Sequence, residues 1–238
     1  MRYIFASLVM FVGLAAAAAD EVDVVIRDGK IVDGTGNPWF TGDIAVKEDR
    51  IVGVGRLDDV TGKRTVNAKG LVVAPGFIDI HSHSDFLLLK DGNAQSKIRQ
   101  GVTTEILGEG NSAGPYQGRL SPKKTTIDGQ TVTWTRLGHY FELVEKQGIA
   151  TNIASYVGLD TIWKCAMGTS FDRPSESDFQ EMERLVDQAM REGALGLSSQ
   201  VMMPPGSLAK TEDIIRLCRV VAKHGGIYST HIRNEGRL

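Results

Sequence analysis

The chain has 238 residues, 42% hydrophobic and 24% charged, with a formal net charge of −2. That is room for one large domain or one and a half ordinary ones, with the composition of a soluble globular protein. No basic block or arginine stripe is present, which argues against nucleic acid as a partner.

The N-terminal stretch MRYIFASLVMFVGLAAAAAD pairs an early Arg2 with an apolar run from Tyr3 to Ala16 and small residues before Asp20. It reads as a secretory signal peptide over residues 1–19, with Ala17 and Ala19 fitting an A-x-A cleavage site. A membrane anchor is the competing reading. The run is at the short limit for a span, and no basic stop-transfer cluster follows. The expectation is a mature chain outside the cytoplasm, secreted or periplasmic, with no stable membrane insertion after cleavage. Cys165 and Cys218 could pair there, but two half-buried free thiols on separate elements are the preferred reading.

Residues 20–73 read as a small N-terminal β-subdomain. VDVVIRDGKIVDGTG alternates apolar and polar residues, with Asp28-Gly29 as a hairpin signal, and DIAVKEDRIVGVG repeats the pattern with Glu48-Asp49 at the turn. From residue 74 to 238 the pattern changes. LVVAPGFIDIH, VTTEILG, IATNIASYVG, ALGLSSQV and GGIYSTHIR are apolar strand candidates, the last four each preceded by a helical pattern. In FDRPSESDFQEMERLVDQAMREG, Pro174 and Ser175 suit a helix start, and Phe179, Met182, Leu185, Val186 and Met190 recur at helical spacing. KTEDIIRLCRVVAKHGG has Thr211 as N-cap and Gly225 as stop. Strands alternating with helices predict an α/β fold with a buried parallel sheet. About five βα units fit either an open sheet or an incomplete (β/α)8 TIM barrel, which at the same spacing needs about 260 residues.

The chemistry starts at GFIDIHSHSD. On a strand, His81 and His83 share one face and Ser82 takes the other. Two imidazoles at the carboxyl end of such a strand are placed to bind one metal ion. His231 ends the fifth strand candidate at the same edge, and Arg233, on its face, is a candidate for a substrate anion or a structural ion pair. In GVTTEILGEGNSAGP, Glu109 follows the second strand in a loop loosened by Gly108 and Gly110, and is preferred as ligand over its rival Glu105, which lies within the strand. His139 and His224 read as surface residues on helices, and Lys164 carries only a weak case as a metal-bridging lysine. Asp85 is expected to support a ligand imidazole or cap the strand end.

With these residues in view, the chain resembles the amidohydrolase superfamily, and within it the N-acyl-D-amino-acid deacylases (D-aminoacylases). VIRDGKIVDGTGNPWFTGDIAVKEDRIVGVG, APGFIDIHSHSD, REGALGLSSQVMMPPGSLAKTEDI and IYSTHIRNEG carry the resemblance from about Val22 to Leu238. It implies hydrolysis of the amide of a small N-acyl-D-amino acid with one or two zinc ions, and His81, His83 and His231 as ligands. Where members have a cysteine ligand in a loop reading roughly GNCG, this chain has GEGN, with Glu109 one position earlier. The resemblance also implies a further histidine ligand on a sixth strand and a general-base aspartate after the eighth, both beyond Leu238. The chain is therefore expected to be a fragment, inactive by itself. Two other readings stand beside this one: a dihydroorotase, hydantoinase or β-aspartyl dipeptidase type of amidohydrolase, and a non-catalytic truncated remnant.

Overall fold

A computed structural model describes residues 21–234 and Gly236; the signal peptide expected over residues 1–19 lies outside the described residues. Among the described residues no helix is long and apolar enough to cross a membrane. The chain divides between Pro75 and Gly76 into two compact units.

The first unit is a mainly β structure. β1 (Val22–Ile31) pairs antiparallel with β2 (Phe40–Lys47), which pairs antiparallel with β3 (Arg50–Gly55). β4 (Gly62–Asn67) and the short β5 (Val72–Val73) lie parallel to β1 on its other side. The inward residues of the strands, Val22, Val25 and Ala45, form a small core that Leu57 and Val60 complete. Glu48 at φ 54° makes the β2–β3 turn where Glu48-Asp49 predicted it. Asp28-Gly29 is not a hairpin. β1 runs straight through it, with Asp28 at φ 59° and a register shift between Ile26 and Gly29, so the pair forms a β-bulge. The Asp28 N–H, displaced from the ladder, donates to Asp43 Oδ1 at 3.0 Å.

The second unit alternates strands and helices. Its elements are β6 (Phe77–Asp79), α1 (Asp85–Leu88), α2 (Gln95–Ile98), β7 (Val102–Leu107), β8 (Lys123–Ile127), β9 (Gln130–Trp134), α3 (Leu137–Gln147), β10 (Asn152–Ser155), β11 (Val157–Gly158), α4 (Leu159–Met167), α5 (Glu176–Arg191), β12 (Gly196–Gln200), α6 (Thr211–Lys223) and β13 (Ile227–His231). Two parallel sheets, in the orders β6-β7-β10 and β11-β12-β13, are joined because β10 and β11 are halves of one strand interrupted at Tyr156. Parallel neighbours thus follow chain order, with β6 and β13 at the edges. The candidate site residues His81, His83, Glu109 and His231 lie at or just beyond their carboxyl ends.

Local sequence explains most of these bounds. Ser175 caps α5 with a complete capping box: its Oγ accepts the Asp178 N–H and its own N–H donates to the Asp178 carboxylate. The α5 face of Phe179, Met182, Leu185, Val186 and Met190 is buried as its spacing predicts. α6 starts one residue earlier than expected, with Lys210 rather than Thr211 at the cap, and Gly225 at φ 70° follows its end. LVVAPGFIDIH is not one strand. Pro75 lacks an N–H for the ladder, so the run splits into β5 and β6. Elements that the sequence pattern does not announce include the β8–β9 hairpin, turning on Asp128-Gly129, the short helix α1 and the helix α4.

Candidate metal centre

His81 and His83 lie beyond β6 rather than on it, because the strand ends at Asp79. A turn, not the pleat, brings them together. The Ser82 N–H donates to the Ile106 carbonyl at 2.9 Å, so the turn stays tethered to β7. The His81 N–H donates to Asp79 Oδ1 at 3.2 Å. Within this frame the two Nε2 atoms stand 3.1 Å apart. His231, ending β13, packs edge-on against His81 with ring centroids 5.0 Å apart, the same separation as His81 from His83. Imidazoles from opposite edges of the five-strand run therefore meet at its carboxyl end.

Glu109 follows β7 and is buried, 3% exposed. Gly108 and Gly110, at φ 82° and 68°, let the backbone fold it inward. Its two carboxylate oxygens accept from Ser229 Oγ at 3.4 and 3.2 Å. Ser229 and His231 are two residues apart on β13 and share a face. Glu109 is thus brought to the His231 side of the strand. Tyr156 is close by: burial raises its phenol pKa, and the Glu109 charge adds to that.

Two imidazole nitrogens bound to one zinc at about 2.0–2.1 Å and the tetrahedral angle stand about 3.3 Å apart. The 3.1 Å His81–His83 separation fits that edge, and fits equally a neutral imidazole–imidazole hydrogen bond. Among the described residues no three His, Cys, Asp or Glu side chains are already gathered as an ion cage. The donor chemistry fits zinc, with the histidine pair preformed, His231 packed against His81, and Glu109 tied to β13 through Ser229.

The remaining candidates fall elsewhere. Arg233 donates through Nη2 to the Ala209 carbonyl at 2.9 Å. It lines an apolar groove of about 610 Å3 between α6 and β13, which Ile214, Cys218 and Tyr228 also border. Lys164 lies on α4, with Nζ 2.9 Å from Asn111 Oδ1. His139 is half-buried against Arg136, and His224 pairs with Asp187 at 2.8 Å. Cys165 is buried and Cys218 half-buried, both as free thiols; burial pushes Cys165 up to about 11. Asp85 opens α1 with its carboxyl in the core, where burial first, and then the Glu105 charge, push it up to about 6.

Glu105, the rejected rival, has a different place. It is fully buried and receives hydroxyl hydrogen bonds from Ser82 at 2.7 Å, from Ser84, and from Thr151 at 3.0 Å. Burial alone would raise its carboxyl, but these hydroxyls, with Lys97, hold it below the usual carboxylate range. The sequence signal for it was the alternation of serine with histidine in HSHS, which puts two hydroxyls opposite two imidazoles.

The "Amidohydrolase family" profile matches residues 64–235. Among curated relatives, D-aminoacylase of Alcaligenes xylosoxydans xylosoxydans is 36% identical over 217 residues, 90% of this chain and 45% of the relative. Solved structures of D-aminoacylase superimpose with a TM-score of 0.81 at 35% identity, covering 90% of this chain and 46% of theirs; one concerns a binuclear metal centre with one-metal activation and second-metal attenuation. The N-acyl-D-glutamate deacylase of Bordetella bronchiseptica, complexed with zinc and a phosphonate mimic of the tetrahedral intermediate, superimposes at 0.82 with 31% identity over 91% of this chain and 46% of that one. The chain spans about half the length of the relatives it matches. With an α/β fold, histidines gathered at the carboxyl ends of parallel strands and a family match over most of its length, the chain belongs to the amidohydrolase family.

Proposed function

We propose that the protein containing this chain is a zinc-dependent deacylase that hydrolyses the amide of N-acyl-D-amino acids, releasing a carboxylate and a free D-amino acid. The observation that carries this reading is the meeting of His81, His83 and His231 at one end of the parallel strands, in a chain 36% identical to a D-aminoacylase. In this reading the second unit is the first part of a (β/α)8 barrel, the first unit is its N-terminal β-subdomain, and the leader directs export to the periplasm or medium.

His81, His83 and His231 would hold one ion, with Glu109 as the carboxylate ligand at one or two metals. The chemistry supplied by such an ion is a water activated near neutrality and a polarised scissile carbonyl. Ser229 orients Glu109 by donating to its carboxylate.

The complete reading frame containing this chain is the material for the test. Release of free D-amino acid from N-acetyl-D-methionine, N-acetyl-D-glutamate or N-acetyl-D-aspartate is expected, with bound zinc by elemental analysis. Ring opening of a hydantoin or dihydroorotate without release from any of the three would move the protein to the cyclic-amide hydrolases. Glu109→Ala should lower zinc content and Glu109→Cys should retain it; unchanged zinc in the alanine variant removes Glu109 from the ligand set.

A further inference from the structure

In HSHS the two kinds of side chain separate completely. The imidazoles meet on one side of the turn, Nε2 to Nε2 at 3.1 Å. The hydroxyls converge on the other: Ser82 and Ser84 Oγ are 2.6 Å apart, and both reach Glu105 Oε2, Ser82 at 2.7 Å. Glu105 Oε1 accepts from Thr151 at 3.0 Å. Lys97 Nζ stands 3.5 Å from Glu105 Oε2 and also pairs with Asp79, the residue that accepts the His81 N–H. Two carboxylates joined by one lysine therefore hold the turn, one through its backbone and one through both serines.

A carboxylate at 0% exposure is costly, and an apolar residue would finish this part of the core more cheaply. A fully satisfied buried network does something an apolar residue cannot: it admits only one arrangement of its donors. Here the donors are the residues adjoining the imidazoles. We propose that Glu105 is a positioning residue which, through Ser82 and Ser84, locks the HSHS turn so that His81 and His83 present their Nε2 atoms to one point before an ion arrives. The proposal rests on the reading of His81 and His83 as metal ligands. It acts through the backbone of the turn rather than through the imidazole Nδ1 atoms.

The test compares the wild-type protein with Ser82→Ala/Ser84→Ala, Glu105→Gln and His81→Ala. Zinc is titrated against a chromophoric chelator, melting temperatures are recorded, and 15N relaxation of the residue 82–84 amides is measured without metal. The double serine variant is nearly isosteric and leaves Glu105 with Thr151 and Lys97, so it decides the matter even where Glu105→Gln does not fold. Its zinc affinity should fall about 10- to 100-fold, and its metal-free turn amides should lose order. A lower melting temperature with unchanged zinc affinity assigns the cluster to fold maintenance and overturns the proposal, as do turn amides as rigid as in the wild type. If wild type binds zinc no better than His81→Ala, the ligand reading fails instead, and the metal-free amides alone judge the lock.

Discussion

Asp160→Asn is expected to stabilise the protein at neutral pH and to do almost nothing in acid. Asp160 lies in the first turn of α4 at 2% exposure. Its carboxylate is weakly held: Oδ2 receives a long 3.4 Å bond from Asn111, and the Gly206 backbone beside it pulls the pKa down only in part. Burial pushes the carboxyl from 3.8 up to about 6, against the pull of the Lys164 charge. The folded state therefore holds this proton more tightly than the unfolded chain does. The stability that comes with the protonated acid is complete below pH 3.8 and is lost as pH rises through about 6. About two pH units at roughly 1.4 kcal/mol each put the loss near 3 kcal/mol. An asparagine, always neutral, should recover about 2–3 kcal/mol at pH 7, or roughly 4–12 °C in melting temperature for a protein of this size. Urea unfolding, followed by the fluorescence of the buried Trp134 and Trp163, would be measured from pH 4 to pH 8. Equal effects of the substitution at pH 4 and pH 7 would refute the argument, as would a loss at pH 7.

Two further substitutions test the frame that carries the site. A Cβ added at Gly196 would lie 1.8 Å from the Ile227 carbonyl oxygen, across the β12–β13 pair. Gly196→Ala should therefore cost more than about 3 kcal/mol; a melting temperature within a few degrees of wild type would contradict it. Ser175→Ala removes the acceptor of the Asp178 N–H at the start of α5 and should cost about 1 kcal/mol by urea unfolding, while Ser175→Asn should restore most of it.

The periodic elements were readable because each buries only one face. α5 shows its stripe of Phe179, Met182, Leu185, Val186 and Met190 and carries its own cap. α4 was invisible for the opposite reason. Leu159 to Trp163 and Cys165 to Met167 are all buried, and the polar Asp160 and Thr161 are buried with them, so the short helix lacks the solvated face that makes a helical period legible. The Asp-Gly rule misled for a physical reason too. Both Asp28 and Asp128 adopt positive φ, as an Asp-Gly pair allows, but that conformation serves a bulge within β1 and a hairpin between β8 and β9. The dipeptide reports a backbone conformation; whether the chain reverses there depends on which strand lies alongside. In β1 the Asp43 carboxylate accepts the displaced Asp28 N–H and the strand continues.

The two glutamates of VTTEILGEG show where a strand-alternation argument stops. Glu105 was set aside because it lies within the strand, and it is indeed turned away from the imidazoles, yet it grips the very turn that bears them. Alternation says which face a side chain takes and nothing about what the next segment puts on that face. Here the next segment is a turn past the end of β6, where the histidine–serine alternation repeats a strand's two-sidedness without being one. The division of labour follows from burial and partners. Glu105 is spent on three hydroxyls and a lysine, so its lone pairs are occupied before an ion could claim them. Among the described residues, Glu109, equally buried, has its carboxylate held by the long Ser229 contacts, on the His231 side of β13. On the proposed reading, the carboxylate whose oxygens are weakly held would be the one left for a metal, and the one saturated by hydroxyls would be the one that shapes the turn.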